Sequence, residues 1–344
     1  MSRAEDVETA LLGAPRVLTR DELLDAVGVT REDARSLWMA LGFPAVPPDE
    51  PVFTEHDVAA LRATVELRTG RLVEPDAALA VARAMGQHLA ALAEAQVEAV
   101  ESVAPGLPAE DVEALAETVG REVVPVLQQL VVHVWQRHFA AAAARALAVD
   151  HPEGGRIRAV GFVDLVGFTG SSRRWDATTL ARTLDRFERD TARRVAERGG
   201  RVVKTLGDAV MYVVDDAAAA AQIALETVAA HAADADLPQV RAGVALGPVV
   251  QRVGDVFGGC VNLASRLTGE AHPSSVLVDD ELAAVLQQLP AFAVRPLKPR
   301  PVRGYRALRP WVVTAAGSEV TAAPDRRARR RAARDRAARG SRGR

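Results

Sequence analysis

The sequence predicts an all-helical domain over residues 1–150 followed, over 157–316, by an α+β domain of ferredoxin-like, split βαβ type. Three observations predict it. Helix-capping signals and helical periodicity fill the first region, strands begin to alternate with helices after the HPEGG segment at 151–155, and the charge changes with them. Residues 1–150 carry 12 basic and 24 acidic side chains, 151–324 carry 21 and 19, and 325–344 carry 10 and 2. A net charge of −2 over 344 residues therefore conceals three regions of distinct electrostatic character. Residues 151–156 are the expected linker, and 317–344 an Arg-rich tail expected to be disordered.

Each helix of the first region has its own signals. LTRDELLDAVGVTREDARSLWMALGF places Thr19 three residues before Glu22 and Thr30 three before Asp33, two capping-box spacings separated by a Gly28-Val29 turn. That is a helix-turn-helix pattern. Pro44, Pro47, Pro48 and Pro51 punctuate a loop, Thr54 opens a helix to about Arg68, and Pro75, Pro105 and Pro108 bound the Ala- and Leu-rich helices that follow. A helical bundle is the simplest architecture for such a run.

In the second region RIRAVGFVDL reads as a strand, followed by an amphipathic helix at about 176–198. A strand pair, RVVKTL and AVMYVV, joins at Gly207-Asp208. A helix at about 216–231, the strand VRAGVAL, a helix at about 258–271, the strand SVLV and shorter elements to Trp311 complete the pattern. Cys260 is the sole cysteine, which excludes a disulfide framework. The N-terminal stretch is acidic and broken by Gly13 and Pro15, and the run VVPVLQQLVVHVW is short and interrupted by Gln128, Gln129 and His133. Neither reads as a signal peptide or a membrane-spanning helix, so the expected location is the cytoplasm.

Of the 43 basic residues only Lys204 and Lys298 are lysine. Where arginine serves almost everywhere as the solvated cation, a surviving lysine is a candidate for a place that wants a compact single-point charge, chance survival being the alternative. Lys204 falls within the most chemical part of the chain. GFVDLVGFTG, residues 161–170, runs a strand into Asp164 and then a turn with Gly167 and Thr169 before the next helix, so a carboxylate stands beside free backbone N–H groups. VVKTLGDAVMYVV is a hairpin with Gly207 at its tip and Lys204 four residues before Asp208. If the hairpin pairs with the first strand, Asp164 and Asp208 converge, with Lys204 further along and separately directed, and two convergent carboxylates call for a cation such as Mg²⁺. GDVFGGCVNLASRL at 254–267 supplies Asp255 and then Asn262 and Arg266, four residues apart on one helix face. Lys298 sits in the Pro-rich RPLKPR.

FVDLVGFT, KTLGD and DVFGGCVNLASRL, in this order and spacing, resemble the motifs of class III nucleotidyl cyclases, over roughly residues 157–313. The resemblance implies an adenylate cyclase that makes cyclic AMP and pyrophosphate from ATP. It implies that Asp164 and Asp208 hold two Mg²⁺ or Mn²⁺ ions, that Lys204 and Asp255 recognise the purine, that Asn262 orients the ribose, and that Arg266 stabilises the transition state. Phe168 and Thr169 of the first turn join the substrate-binding set. Lys298 falls near the family's triphosphate-binding lysine, with Pro299 where a glycine is usual. A donor-only lysine beside an acceptor-only aspartate matches the N1 and N6 edge of adenine, and guanine shifts that register. A guanylate cyclase and a catalytically inactive nucleotide sensor are the alternatives. Family members form head-to-tail homodimers with shared sites.

The stretch between Gly247 and Asp255 is short, which resembles a bacterial subgroup in which a helical regulatory domain precedes the cyclase. LTRDELLDAVGV, RSLWMALGFP and FTEHDVAALR resemble that domain. A DNA-binding role for the helix-turn-helix conflicts with its charge, since phosphate neutralisation needs a basic surface. A regulatory module is expected instead. His133, His138 and His151 make pH a minor candidate signal, and the Arg tail reads as solvated.

Overall fold

A computed structural model describes residues 3–69, 74–103, 108–147, 156–168, 175–252, 254–302 and 304–317. The expected linker apart from Arg156, Thr169, His151 and the tail beyond Gly317 lie outside them. The chain divides into two units, Met1–Asp150 and His151–Arg344.

The first unit is helical: α1 (Arg3–Leu12), α2 (Arg20–Val27), α3 (Arg31–Ala40), α4 (Glu55–Thr69), α5 (Pro75–Val103), α6 (Ala109–Thr118) and α7 (Val124–Leu147), with a π-helical turn over Val119–Val123. Its boundaries follow the capping chemistry. Thr19 and Glu22 form a reciprocal box, in which the Thr19 N–H donates to Glu22 Oε2 at 2.8 Å and Thr19 Oγ1 accepts from the Glu22 N–H. Gly28 closes α2 in the left-handed conformation. Thr54 repeats the box with Asp57, its N–H donating to Asp57 Oδ2 at 2.7 Å. Trp38, stacked at 4.4 Å on Phe43 and edge-on to Phe53 at 5.0 Å, anchors the small core with Leu23, Leu24 and Phe53.

The second unit is built on one mixed sheet. Its elements run β1 (Arg156–Leu165), α8 (Ala177–Glu197), β2 (Arg201–Leu206), β3 (Ala209–Val214), α9 (Ala217–Ala233), β4 (Val240–Arg252), β5 (Asp255–Phe257), α10 (Gly259–Glu270), β6 (Val276–Val278), α11 (Asp280–Leu286), β7 (Phe292–Pro296), β8 (Arg300–Val302), β9 (Tyr305–Leu308) and β10 (Trp311–Ala315). The strand order is β2-β3-β1-β4-β6-β10-β7, with β5 paired to β4 and a separate β8-β9 hairpin. Its first four strands, all antiparallel, reproduce the split βαβ arrangement, and β4 then pairs in parallel with β6. The expected strand at 240–246 runs on to Arg252 and folds back through β5, which makes the short arm a two-stranded hairpin with Arg252 opposite Asp255.

Strand alternation gives the sheet two unlike faces. Ala159, Val163 and Leu165 of β1 meet Phe187 and Val195 of α8, Ile223 and Ala224 of α9, and Leu282 and Leu286 of α11. On the other face Val160 and Phe162 meet Met211, Val213 and the Cys260, Ala264 and Leu267 side of α10. Gly243 allows that helix its close seat, since a Cβ there would lie 2.3 Å from the Thr268 nitrogen and 2.5 Å from the Ala264 carbonyl oxygen. Asp164, Lys204 and Arg241 all belong to this second face.

Candidate active site

Asp164 is the penultimate residue of β1, in register with Ala209 on β3 and Arg241 on β4. It follows the alternation of Val160 and Phe162 and therefore lies on the α10 face. The hairpin tip is held close to it, because the Leu165 N–H donates to the Asp208 carbonyl at 2.9 Å and Gly207 takes φ +65° between the strands. The sequence expectation that Asp164 and Asp208 converge thus has a backbone cause. Burial raises the pKa of the Asp164 carboxyl above the ordinary range; the Arg241 guanidinium counters that rise and the Asp208 charge adds to it.

Lys204 reaches the same face through a bulge. Val202 pairs with Tyr212, but Lys204 pairs with Met211, so Val203 is the extra residue. Without the bulge Lys204 would stand opposite Val210, on the face covered by α8 and α9. With it, Nζ lies 2.5 Å from Oδ2 of Asp255 at the start of β5. Lys204 is thus separately directed, to Asp255 rather than Asp164, while sharing the sheet face with Asp164. Burial raises the Asp255 carboxyl, but Lys204, the Val256 N–H at 2.8 Å from Oδ1, and Arg201 together outweigh it and hold the carboxyl below its ordinary value. Arg201 also donates to the Gly254 carbonyl at 3.1 Å, which fixes the arm turn behind Asp255.

Asn262 and Arg266 are exposed on α10, one turn apart, and neither side chain has a hydrogen-bond or ion-pair partner among the described residues. Beside Arg266, a cavity of about 390 Å³ opens between α10 and β8, lined by Ser265, Arg266, Gly269, Glu270, Pro301 and Val302. Arg300 pairs with Glu270 at 3.0 Å beside it. Lys298 is exposed in the β7–β8 loop and does not line the cavity. Phe168 is not brought to the others by its ring, which packs against the α8–α9 core and lies 6.1 Å from Trp175.

Sequence reasoning missed Arg241. It donates to Oδ2 of Asp164 from Nε at 2.7 Å, with Nη2 in ion-pair contact with the same oxygen at 2.6 Å, and to the Gly269 carbonyl from Nη1 at 3.1 Å. The available signal was a lone charge in the otherwise apolar VRAGVAL strand.

The donor set at Asp164 and Asp208 fits a divalent cation: two hard carboxylates oppose each other's charge in a half-buried spot. Among the described residues no cluster of three or more His, Cys, Asp or Glu completes a ligand cage. Such a pair suits Mg²⁺ or Mn²⁺, which keep waters and substrate phosphate oxygens in their coordination shell.

Residues 156–315 match the adenylate and guanylate cyclase catalytic domain. An adenylate cyclase of Streptomyces coelicolor is 39% identical over 341 residues, covering 90% of this chain and 88% of its own. The chain belongs to the class III adenylate cyclases. An adenylate cyclase of Glutamicibacter nicotianae is 36% identical, over 90% of this chain and 81% of its own. A pH-sensitive adenylate cyclase of Mycobacterium tuberculosis is 33% identical, over 83% and 75%. For the first two the likeness spans the helical unit as well as the cyclase domain. Enzymes of this family use divalent metal ions, and no helix among the described residues of this chain is long and apolar enough to cross a membrane.

Proposed function

We propose that this cyclase closes the 3′-oxygen of ATP onto its α-phosphorus, forming 3′,5′-cyclic AMP and releasing pyrophosphate at sites shared between two copies of the chain. The observation that carries the choice of substrate is the Lys204–Asp255 pair, a donor-only group held against an acceptor-only one. Adenine offers N1 as acceptor beside the N6 amino donor, and the pair matches that order. Guanine offers O6 beside N1–H, in a shifted register.

Asp164 and Asp208 hold negative charge at the end of β1 and the hairpin tip, where the triphosphate is assigned. What divalent cations supply when bound there, two per site on this reading, is acidification of the 3′-hydroxyl and neutralisation of the departing pyrophosphate. Asn262 would fix the ribose through its amide, and Arg266 would meet the charge that builds on the α-phosphate oxygens. Lys298 and the turn at 168–169 would serve the triphosphate.

The dimer reading rests on where these groups lie. Lys204 stands two strands over from Asp164 and two residues back along the register, roughly 12 Å apart at strand spacing. Asn262 and Arg266 project unpartnered from α10. Leu206, on the same face, is 48% exposed, and Phe257 in the arm is 51% exposed. A second copy docked head-to-tail would cover this face and complete both sites. The helical unit, with its −12 charge, is assigned a regulatory role in intracellular signalling, with His133 and His138 of α7 exposed to solvent.

The test is cyclic nucleotide production by the purified full chain, given ATP or GTP with Mn²⁺ or Mg²⁺. Cyclic AMP from ATP at a rate well above cyclic GMP from GTP is the expected result. Predominant cyclic GMP would reassign the substrate. Nucleotide binding without product would leave a sensor and not an enzyme.

A further inference from the structure

We infer that Arg241 is a positioning residue that ties the Asp164 carboxylate to the last turn of α10, and so sets where Asn262 and Arg266 stand. Arg241 spends its whole planar fork on this link. Nε and Nη2 converge on Oδ2 of Asp164, and Nη1 reaches the Gly269 carbonyl at 3.1 Å. Both contacts fall on the same oxygen, and Oδ1 of Asp164 has no hydrogen-bond partner among the described residues.

The helix end explains why the link has consequence. The last carbonyls of an α-helix lack intrahelical donors, and the Ala271 N–H returns to Leu267 and Thr268. Gly269 therefore takes its donor from Arg241, and a cation at a helix C-terminus also complements the dipole. Thr268, the neighbouring residue, is the one seated on Gly243. The C-terminal half of α10 is thus fixed twice, by packing at Thr268 and by Arg241 at Gly269. Arg266 lies three residues before that anchor. A lysine has one nitrogen and cannot reach both the carboxylate and the carbonyl with the same geometry.

The function given to Asn262 and Arg266 rests on the adenylate cyclase reading above; the link itself does not. Hydrogen exchange read by mass spectrometry on the full chain, without nucleotide or metal, tests it with Arg241→Lys and Arg241→Met. Amides of residues 264–271 should exchange about tenfold faster in both variants, the effect of losing one charge-assisted hydrogen bond. In both, kcat for ATP should fall about tenfold while KM moves less than about twofold, and lysine should rescue neither quantity. Wild-type exchange in Arg241→Met would overturn the inference, as would restoration of kcat and exchange by lysine. If the methionine variant does not fold, Arg241→Lys, which keeps a cation beside Asp164, decides alone: faster exchange supports the link and wild-type exchange sinks it. A wild-type chain that makes no cyclic AMP would defeat the activity and leave the exchange result to be judged separately.

Discussion

The two faces of the catalytic sheet are made from the same strands and do opposite work. The face under α8, α9 and α11 is closed by apolar side chains, with Phe187, Ile223, Leu282 and Leu286 fully buried. The α10 face has one helix and a small hairpin over it, and it presents Asp164, Lys204 and Arg241, with Asp255 of the hairpin meeting Lys204, where the first face presents leucine and valine. Burial on one face supplies the stability that lets the other hold two opposed carboxylates and an incompletely covered surface. A single residue step along a strand, or a one-residue bulge in it, decides which of the two faces a side chain joins.

Substitutions should separate the two faces by what they damage. The largest effect is expected from Asp208→Ala, where losing several kcal/mol of transition-state stabilisation means a drop on the order of a thousandfold in cyclic AMP formation. Its melting temperature should match wild type, because removing one of two repelling carboxylates does not weaken the fold. Leu282→Ala should do the reverse. It should cost about 2–5 kcal/mol in denaturant unfolding, with activity per folded molecule unchanged, and a selective loss of activity would show that the faces are not independent.

Lys204→Ala should lower kcat/KM for ATP about a hundredfold and narrow the preference over GTP. Its stability should change by less than about 1 kcal/mol, since the Lys204–Asp255 pair is partly exposed. Unchanged nucleotide preference would remove the pair from purine recognition. An effect on pH dependence alone belongs to Asp279, the N-cap of α11, which accepts from the Leu282 and Leu246 N–H groups and whose carboxyl burial pushes up to about 7. An unfolded aspartate releases its proton near about 3.9. Stability is therefore fully present below that value and is lost as pH rises toward the folded value. Asp279→Asn should flatten the stability profile between about pH 4 and 7, and an unaltered slope would place the titration elsewhere.

Much of this division could be read from residue order. The hairpin at Gly207, the strand ending in Asp164 and the Asn262–Arg266 spacing each follow from local rules of turn, alternation and helical period, and the Thr19–Glu22 and Thr30–Asp33 spacings set the starts of α2 and α3. The bulge at Val203 could not be read, because a strand's own pattern does not say how many residues face its partner. Arg241 escaped for a related reason: its meaning depends on a register with a β1 residue 77 positions earlier in the chain. Phe168, a site residue by position in its motif, packs its ring against the opposite core, which the motif alone does not show.

On the proposed shared site, the α10 face of one copy completes the site of another, and a mixture of two inactive chains distinguishes this from sites held within one chain. Asp164→Ala and Lys204→Ala are purified separately, combined, and assayed for cyclic AMP against each alone. Each chain by itself should be nearly inactive, and the mixture should regain a substantial part of the wild-type rate, because one of the two sites in a mixed dimer keeps every wild-type group. A mixture that forms mixed dimers yet stays as inactive as its parts would contradict the shared site.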